Sequence, residues 1–132
     1  MNTNHLLDDI HDFFQISQKE INSYSPLTLA YLGDAVFEIV IRTIIVEKKS
    51  GTVKSLHRQS SDLVNAKAQA ELMSRIMGAL TEQEISIYKR GRNAKSHSVA
   101  KNANIHDYRN ATGFEALMGY LYLNGEMERL LE

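Results

Sequence analysis

Two carboxylates stand where an apolar residue would pack better. Asp34 interrupts "LAYLGDAVFE" (Leu29 to Glu38), and Glu115 interrupts "TGFEALMGYLYL" (Thr112 to Leu123). Both segments read as helices that are apolar nearly all round, and an ionised carboxylate buried there is costly unless it is paired or binds a metal. A glycine precedes each one closely, Gly33 and Gly113. Glycine inside a helix costs ~1 kcal/mol relative to alanine, so close approach of backbone, substrate or metal should compensate. If the two helices cross at these glycines, Asp34 and Glu115 face each other. Two hard oxygen ligands suit Mg2+, which keeps other positions for water and a substrate phosphate. Such an ion activates water and neutralises charge on a reacting phosphodiester. Glu38, one turn after Asp34, either joins this site or lies on an exposed helix face.

A second feature points the same way. From Lys89 to Lys101 the chain reads "KRGRNAKSHSVAK", with Lys89, Arg90, Arg92, Lys95 and Lys101 and no acid. A block of one sign in a chain of net charge −1 indicates a polyanionic partner better than the overall charge does. It lies just upstream of Glu115, where it would bring a phosphate backbone to the metal. Carboxylate ligands beside a cationic loop suggest phosphodiester hydrolysis. Taken singly, each signal has a plainer reading. Asp34 could accept hydrogen bonds from another helix's N-terminus, Glu115 could face solvent, and the basic loop could be a solvated surface. Other chemistries lack candidates: there is no cysteine, no HxxxH histidine pair and no serine in a nucleophile elbow. Tyr120 and Tyr122 read as packing residues.

The elements that must position these groups are helices. Leu6, Ile10, Phe13 and Phe14 form one stripe over residues 5–17. Ser25 followed by Pro26 is an N-cap with proline at the first helical position, opening a helix to about Lys48 that Ser50-Gly51 stops. Thr52 caps a third helix whose rhythm runs from Val53 through Leu63 and Lys67 to Leu72. Gly78 interrupts. Thr81 with Glu84 is a capping box opening a fourth helix through Tyr88. Gly91 to about Ile105 has no apolar period and reads as a loop. A long helix follows from about Asp107 to Leu123, ended by Asn124-Gly125, and a short one over "EMERLL" closes the chain. No segment shows sustained period-two alternation, so the expected fold class is all-α.

A length of 132 residues suits a single core. No window reaches the roughly 18 uncharged apolar residues of a membrane span, and the acidic start "MNTNHLLDDIHDFF" is unlike a secretory signal. The lack of cysteine suits a reducing compartment. A cytoplasmic protein with no membrane partner is expected.

The pairing of "LAYLGDAVFE" with "TGFEALMGYLYL" resembles the ribonuclease III catalytic domain, whose signature has the form LEFLGDA with a later EALIG helix. "KRGRNAKS" (Lys89 to Ser96), Lys101-Asn102 and "YRNATGFEALMGYLYL" (Tyr108 to Leu123) are similar to the small bacterial subgroup Mini-ribonuclease III, which lacks a double-stranded-RNA-binding domain. The resemblance covers roughly Pro26 to Leu131. It implies the ribonuclease III endonuclease-domain helical fold over 26–132, with 1–25 as an acidic helical extension. It also implies a homodimer whose valley holds double-stranded RNA, each site cutting one strand with Mg2+. By position, Asp34 and Glu115 match the family's catalytic and metal-binding carboxylates, and Tyr31 matches a residue that packs across the dimer interface. Lys89, Arg90, Arg92, Asn93, Lys95 and Lys101 would grip RNA, read mainly by shape, phosphates and 2′-hydroxyls. The implied task is maturation of the paired ends of precursor 23S ribosomal RNA.

The larger enzymes carry further carboxylates where this chain has Ala30 and Thr112. Reduced ligation, completed by water and RNA phosphates, is one consequence. A non-catalytic module of the same fold that binds structured RNA is the alternative. An all-α nucleotide pyrophosphatase would need several glutamates at helical spacing on one helix, and the relevant helices have no such cluster.

Overall fold

The computed structural model describes residues 5–17, 19–48, 51–94 and 105–131. Helix α6 (Ile105–Leu123) is the axis of the fold. Against it pack α2 (Pro26–Lys48), α4 (Ala66–Ile76), α5 (Glu82–Asn93) and the short α7 (Met127–Leu131). Helix α3 (Val53–Val64) lies on α2, and α1 (His5–Phe14) stands at the N-terminal edge. Single 3₁₀ turns occupy Ile21–Ser23 and Met77–Ala79. Among the described residues there is no strand, so the all-α expectation holds. No helix among them is long and apolar enough to cross a membrane.

From Gly113 to Tyr122 every residue of α6 but Glu115 is buried. Phe114, Ala116 and Leu117 are essentially inaccessible, and Phe37 of α2 meets the Phe114 ring edge-on, with centroids 5.0 Å apart. Full burial of a side chain the size of Phe114 or Leu117 contributes ~1.5–3 kcal/mol of transfer free energy.

Local signals set the helix boundaries. The Ser25 hydroxyl accepts from the Thr28 N–H at 3.1 Å, and its carbonyl from Leu29 N–H at 3.0 Å, which opens α2 with Pro26 at the first position. The Thr81–Glu84 capping box is present in both directions, at 2.8 and 3.2 Å. Gly125, with φ 75°, ends α6: the Glu126 N–H donates to the Leu121 carbonyl and the Gly125 N–H to that of Tyr122, a Schellman arrangement.

Three expectations need correction. The single third helix is two, because Asn65 adopts an extended conformation between α3 and α4. Its Nδ2 donates to the Ser61 and Asp62 carbonyls while its Oδ1 accepts from the Ala68 N–H at 2.8 Å, so one side chain closes one helix and starts the next. The loop expected from Gly91 begins later, since α5 continues to Asn93. The stripe of α1 turns outward: Leu6, Phe13 and Phe14 are exposed, and it is Leu7 that enters the core.

Candidate active site

The crossing of α2 over α6 is built on glycine, but the pair is Gly33 and Gly119 rather than Gly33 and Gly113. A Cβ on Gly33 would lie 2.7 Å from the Gly119 nitrogen and closer still to the Glu115 carbonyl oxygen. One on Gly119 would lie 2.9 Å from the Leu29 carbonyl carbon and 3.2 Å from the Gly33 nitrogen. The two backbones therefore touch, which offsets the helix-propensity cost of both glycines. Gly113 serves a second crossing, against α5. It abuts Tyr88, and Gly91 abuts Gly113 and Ala116.

Backbone contact at Gly33 brings the next residue, Asp34, beside Glu115, close enough for each carboxyl group to feel the other. Their environments differ from the sequence expectation. α2 buries only one face (Leu29, Ala30, Gly33, Val36 and Phe37), so Asp34 is exposed to solvent, whereas Glu115 is half-buried. Burial, together with the hydrogen bond and charge of Asp34, raises the Glu115 pKa to about 8. Gln69 of α4 opposes that rise. Gln69 is itself 2% exposed, and its Nε2 is buried without a hydrogen-bond partner of good geometry.

The positions of the missing carboxylates are filled differently. Ala30 is buried, and the Thr112 hydroxyl donates back to the Tyr108 carbonyl at 3.0 Å. Glu38 does not join the pair, because its Oε1 accepts from Arg42 Nη2 at 2.7 Å on an exposed stretch of α2. Among the described residues no three His, Asp or Glu side chains come together as a metal cluster. Asp34 and Glu115 thus stand as a two-carboxylate site. Two neighbouring carboxyl groups are hard oxygen donors that would suit a divalent cation.

The basic residues occupy the C-terminal end of α5. Lys89, Arg90 and Asn93 are exposed and share a shallow groove with Glu82, Ile85 and Ser86. Arg92 is half-buried, its guanidinium 5.7 Å from the centroid of the Tyr88 ring and its Nε donating to Asn93 Oδ1. Tyr88 reaches α6 through a 3.0 Å hydrogen bond from its hydroxyl to Asn110 Oδ1, and Gly91 sits against Thr112. The cationic helix end is thereby fastened to α6 one turn before Glu115. Lys95 and Lys101 lie outside the described residues. Tyr31, one turn before Asp34, is 82% exposed.

Gln69 is the site neighbour that sequence reasoning missed. Its signal was faint: one amide on the face of α4 that otherwise buries Ala70 and Met73. A second buried polar group, Glu84, was legible only as a cap. It also takes a two-pronged ion pair from Arg129, at 2.9 and 3.0 Å, while the Arg129 Nη2 donates to the Ala79 carbonyl. This ties α7 to the start of α5.

A bundle in which two glycine-built crossings set a carboxylate pair beside a basic helix end matches a known class of enzyme. Residues 27–126 match the family described as "Ribonuclease III domain", and the chain belongs to that family of endoribonucleases. Its relatives narrow the placement. It is 50% identical over 119 residues to the Mini-ribonuclease 3 of Clostridium tetani, covering 89% of this chain and 79% of that protein. Identity is 52% over 116 residues with that of Enterococcus faecalis, covering 86% of each. A Fusobacterium nucleatum protein of known crystal structure superposes with a TM-score of 0.77 at 33% identity, over 86% of this chain and 90% of that one.

Proposed function

We propose that the chain is a Mg2+-dependent endoribonuclease that cleaves double-stranded RNA as a homodimer, with precursor 23S ribosomal RNA as its substrate in the cytoplasm. The observation that supports this best is the meeting of Asp34 and Glu115 at the α2–α6 crossing. In this reading those two side chains hold the ion. When bound, it supplies positive charge against the phosphodiester and makes water a better nucleophile. Lys89, Arg90, Arg92 and Asn93 lie along the phosphates, joined by Lys95 and Lys101, so that recognition follows duplex shape more than sequence. Tyr31 supports the dimer: a large aromatic this exposed beside the site is suited to a partner's surface.

Residues 1–25 then form an extension, and 26–132 the catalytic unit. The test is incubation of a perfectly paired RNA duplex, and of each strand alone, with Mg2+ or with EDTA. Cuts in both strands of the duplex, with Mg2+ only, are expected. A duplex that is retained on a native gel but never cut would instead favour a binding module, which the apolar Ala30 and self-bonded Thr112 positions would then explain. Sedimentation as a monomer at micromolar concentration would refute the dimer.

A further inference from the structure

We propose that Gln69 is a positioning residue for Glu115, its amide nitrogen fixing one carboxylate oxygen so that the other is presented toward Asp34 and the metal. This rests on the two-carboxylate reading above and extends it to a third helix. The geometry is that of a donor in want of an acceptor. Gln69 is 2% exposed on the face of α4 that packs against α6, and its Nε2 has no partner of good geometry. A buried amide left this way is destabilising, and an apolar residue of similar size would remove the cost. The neighbours on that face, Ala70 and Met73, are apolar. The Glu115 carboxyl group of α6 lies within reach of that amide, and an N–H donated to one of its oxygens leaves the other free toward Asp34. Outer partners of this kind orient ligands and are worth about 10–100-fold in metal affinity.

The test measures Mn2+ binding by electron paramagnetic resonance of the free ion, alongside thermal unfolding without metal, for wild type, Gln69→Leu, Gln69→Met and Asp34→Asn. Both Gln69 variants should bind Mn2+ about 10-fold or more weakly, with thermal midpoints equal to or above wild type. A residue that merely filled space would give the opposite pattern, with lower midpoints and unchanged affinity. Wild-type Mn2+ affinity in whichever Gln69 variant folds would overturn the proposal while leaving the carboxylate site intact. Failure of wild type to bind Mn2+, or equal binding by Asp34→Asn, would overturn the two-carboxylate reading itself and this proposal with it.

Discussion

Replacing Gly33 by alanine should separate the two helices that carry the site. The added methyl would lie 2.7 Å from the Gly119 nitrogen, and closer to the Glu115 carbonyl, where about 3.5 Å is an ordinary contact. Backbone is on the other side, so no side chain can swing away, and the Glu115 carbonyl oxygen forces α2 to retreat by about 1.5 Å or more. Leu29, Val36 and Phe37 bury their side chains across that face, each worth ~1.5–3 kcal/mol. Even a gap of roughly 0.5–1 Å forfeits a quarter to a half of the contact energy, so the loss is at least ~2–3 kcal/mol. Better helix propensity returns at most ~1 kcal/mol. A net destabilisation of about 2 kcal/mol is large beside the ~5–15 kcal/mol of a typical domain. Gly78 is the internal control, because nothing lies within 4 Å of a Cβ there, and its alanine variant should stay within ~1 kcal/mol of wild type. Urea unfolding followed by circular dichroism, at one protein concentration, reads both. Equal midpoints for Gly33→Ala and wild type would show that the helices do not meet as described.

Other outcomes follow from the charges. The folded-state pKa of Glu115, about 8, lies above its ordinary 4.5, so the native state holds a proton that the unfolded chain releases. In EDTA, stability should therefore fall as pH rises from 4.5 to 8, by ~1–3 kcal/mol once partial solvent screening is allowed for. Asp34→Asn should lessen that fall without abolishing it, since burial is the larger cause; stability rising over this range would sink the assignment. Glu84 has the opposite sign, its pKa being lowered chiefly by the hydrogen bond from Arg129. Arg129→Met leaves that carboxylate buried and should cost about 3 kcal/mol at pH 7, less in acid, by the same urea assay. An unchanged midpoint would show the pair to be idle. Replacing Lys89, Arg90 and Arg92 by alanine should weaken duplex RNA binding and flatten its salt dependence by roughly 3 in the log–log slope if each neutralises one phosphate; fluorescence anisotropy at several salt concentrations that finds the slope unchanged would make the helix end a solvated surface only.

Much of this was legible in the sequence because the signals are local. Ser25-Pro26, the Thr81–Glu84 box and Asn124-Gly125 set boundaries through bonds three to five residues long. The division at Asn65 was not, since an apolar rhythm runs across it and only the side chain's bonds in both directions reveal two helices. Asp34 and Glu115 stood out as charges in apolar runs, yet which glycine serves which crossing depends on partners far away in sequence. Gly119 meets Gly33, and Gly113 meets Tyr88. The exposure of Asp34 was hidden for the same reason: α2 carries apolar residues, Tyr31 and Ile39 among them, that no helix among the described residues covers. Gln69 acquires meaning only once α4 is laid against α6.

Whether Asp34 and Glu115 act as one site is decided by a double-mutant cycle of cleavage rates. Wild type, Asp34→Asn, Glu115→Gln and the double variant are compared on one RNA duplex at saturating Mg2+. Residues that act as a unit give grossly non-additive losses, so each single variant should lose nearly as much rate as the double. Losses that multiply in the double variant would mean two independent contributions, and the account of a shared centre at the α2–α6 crossing would be wrong.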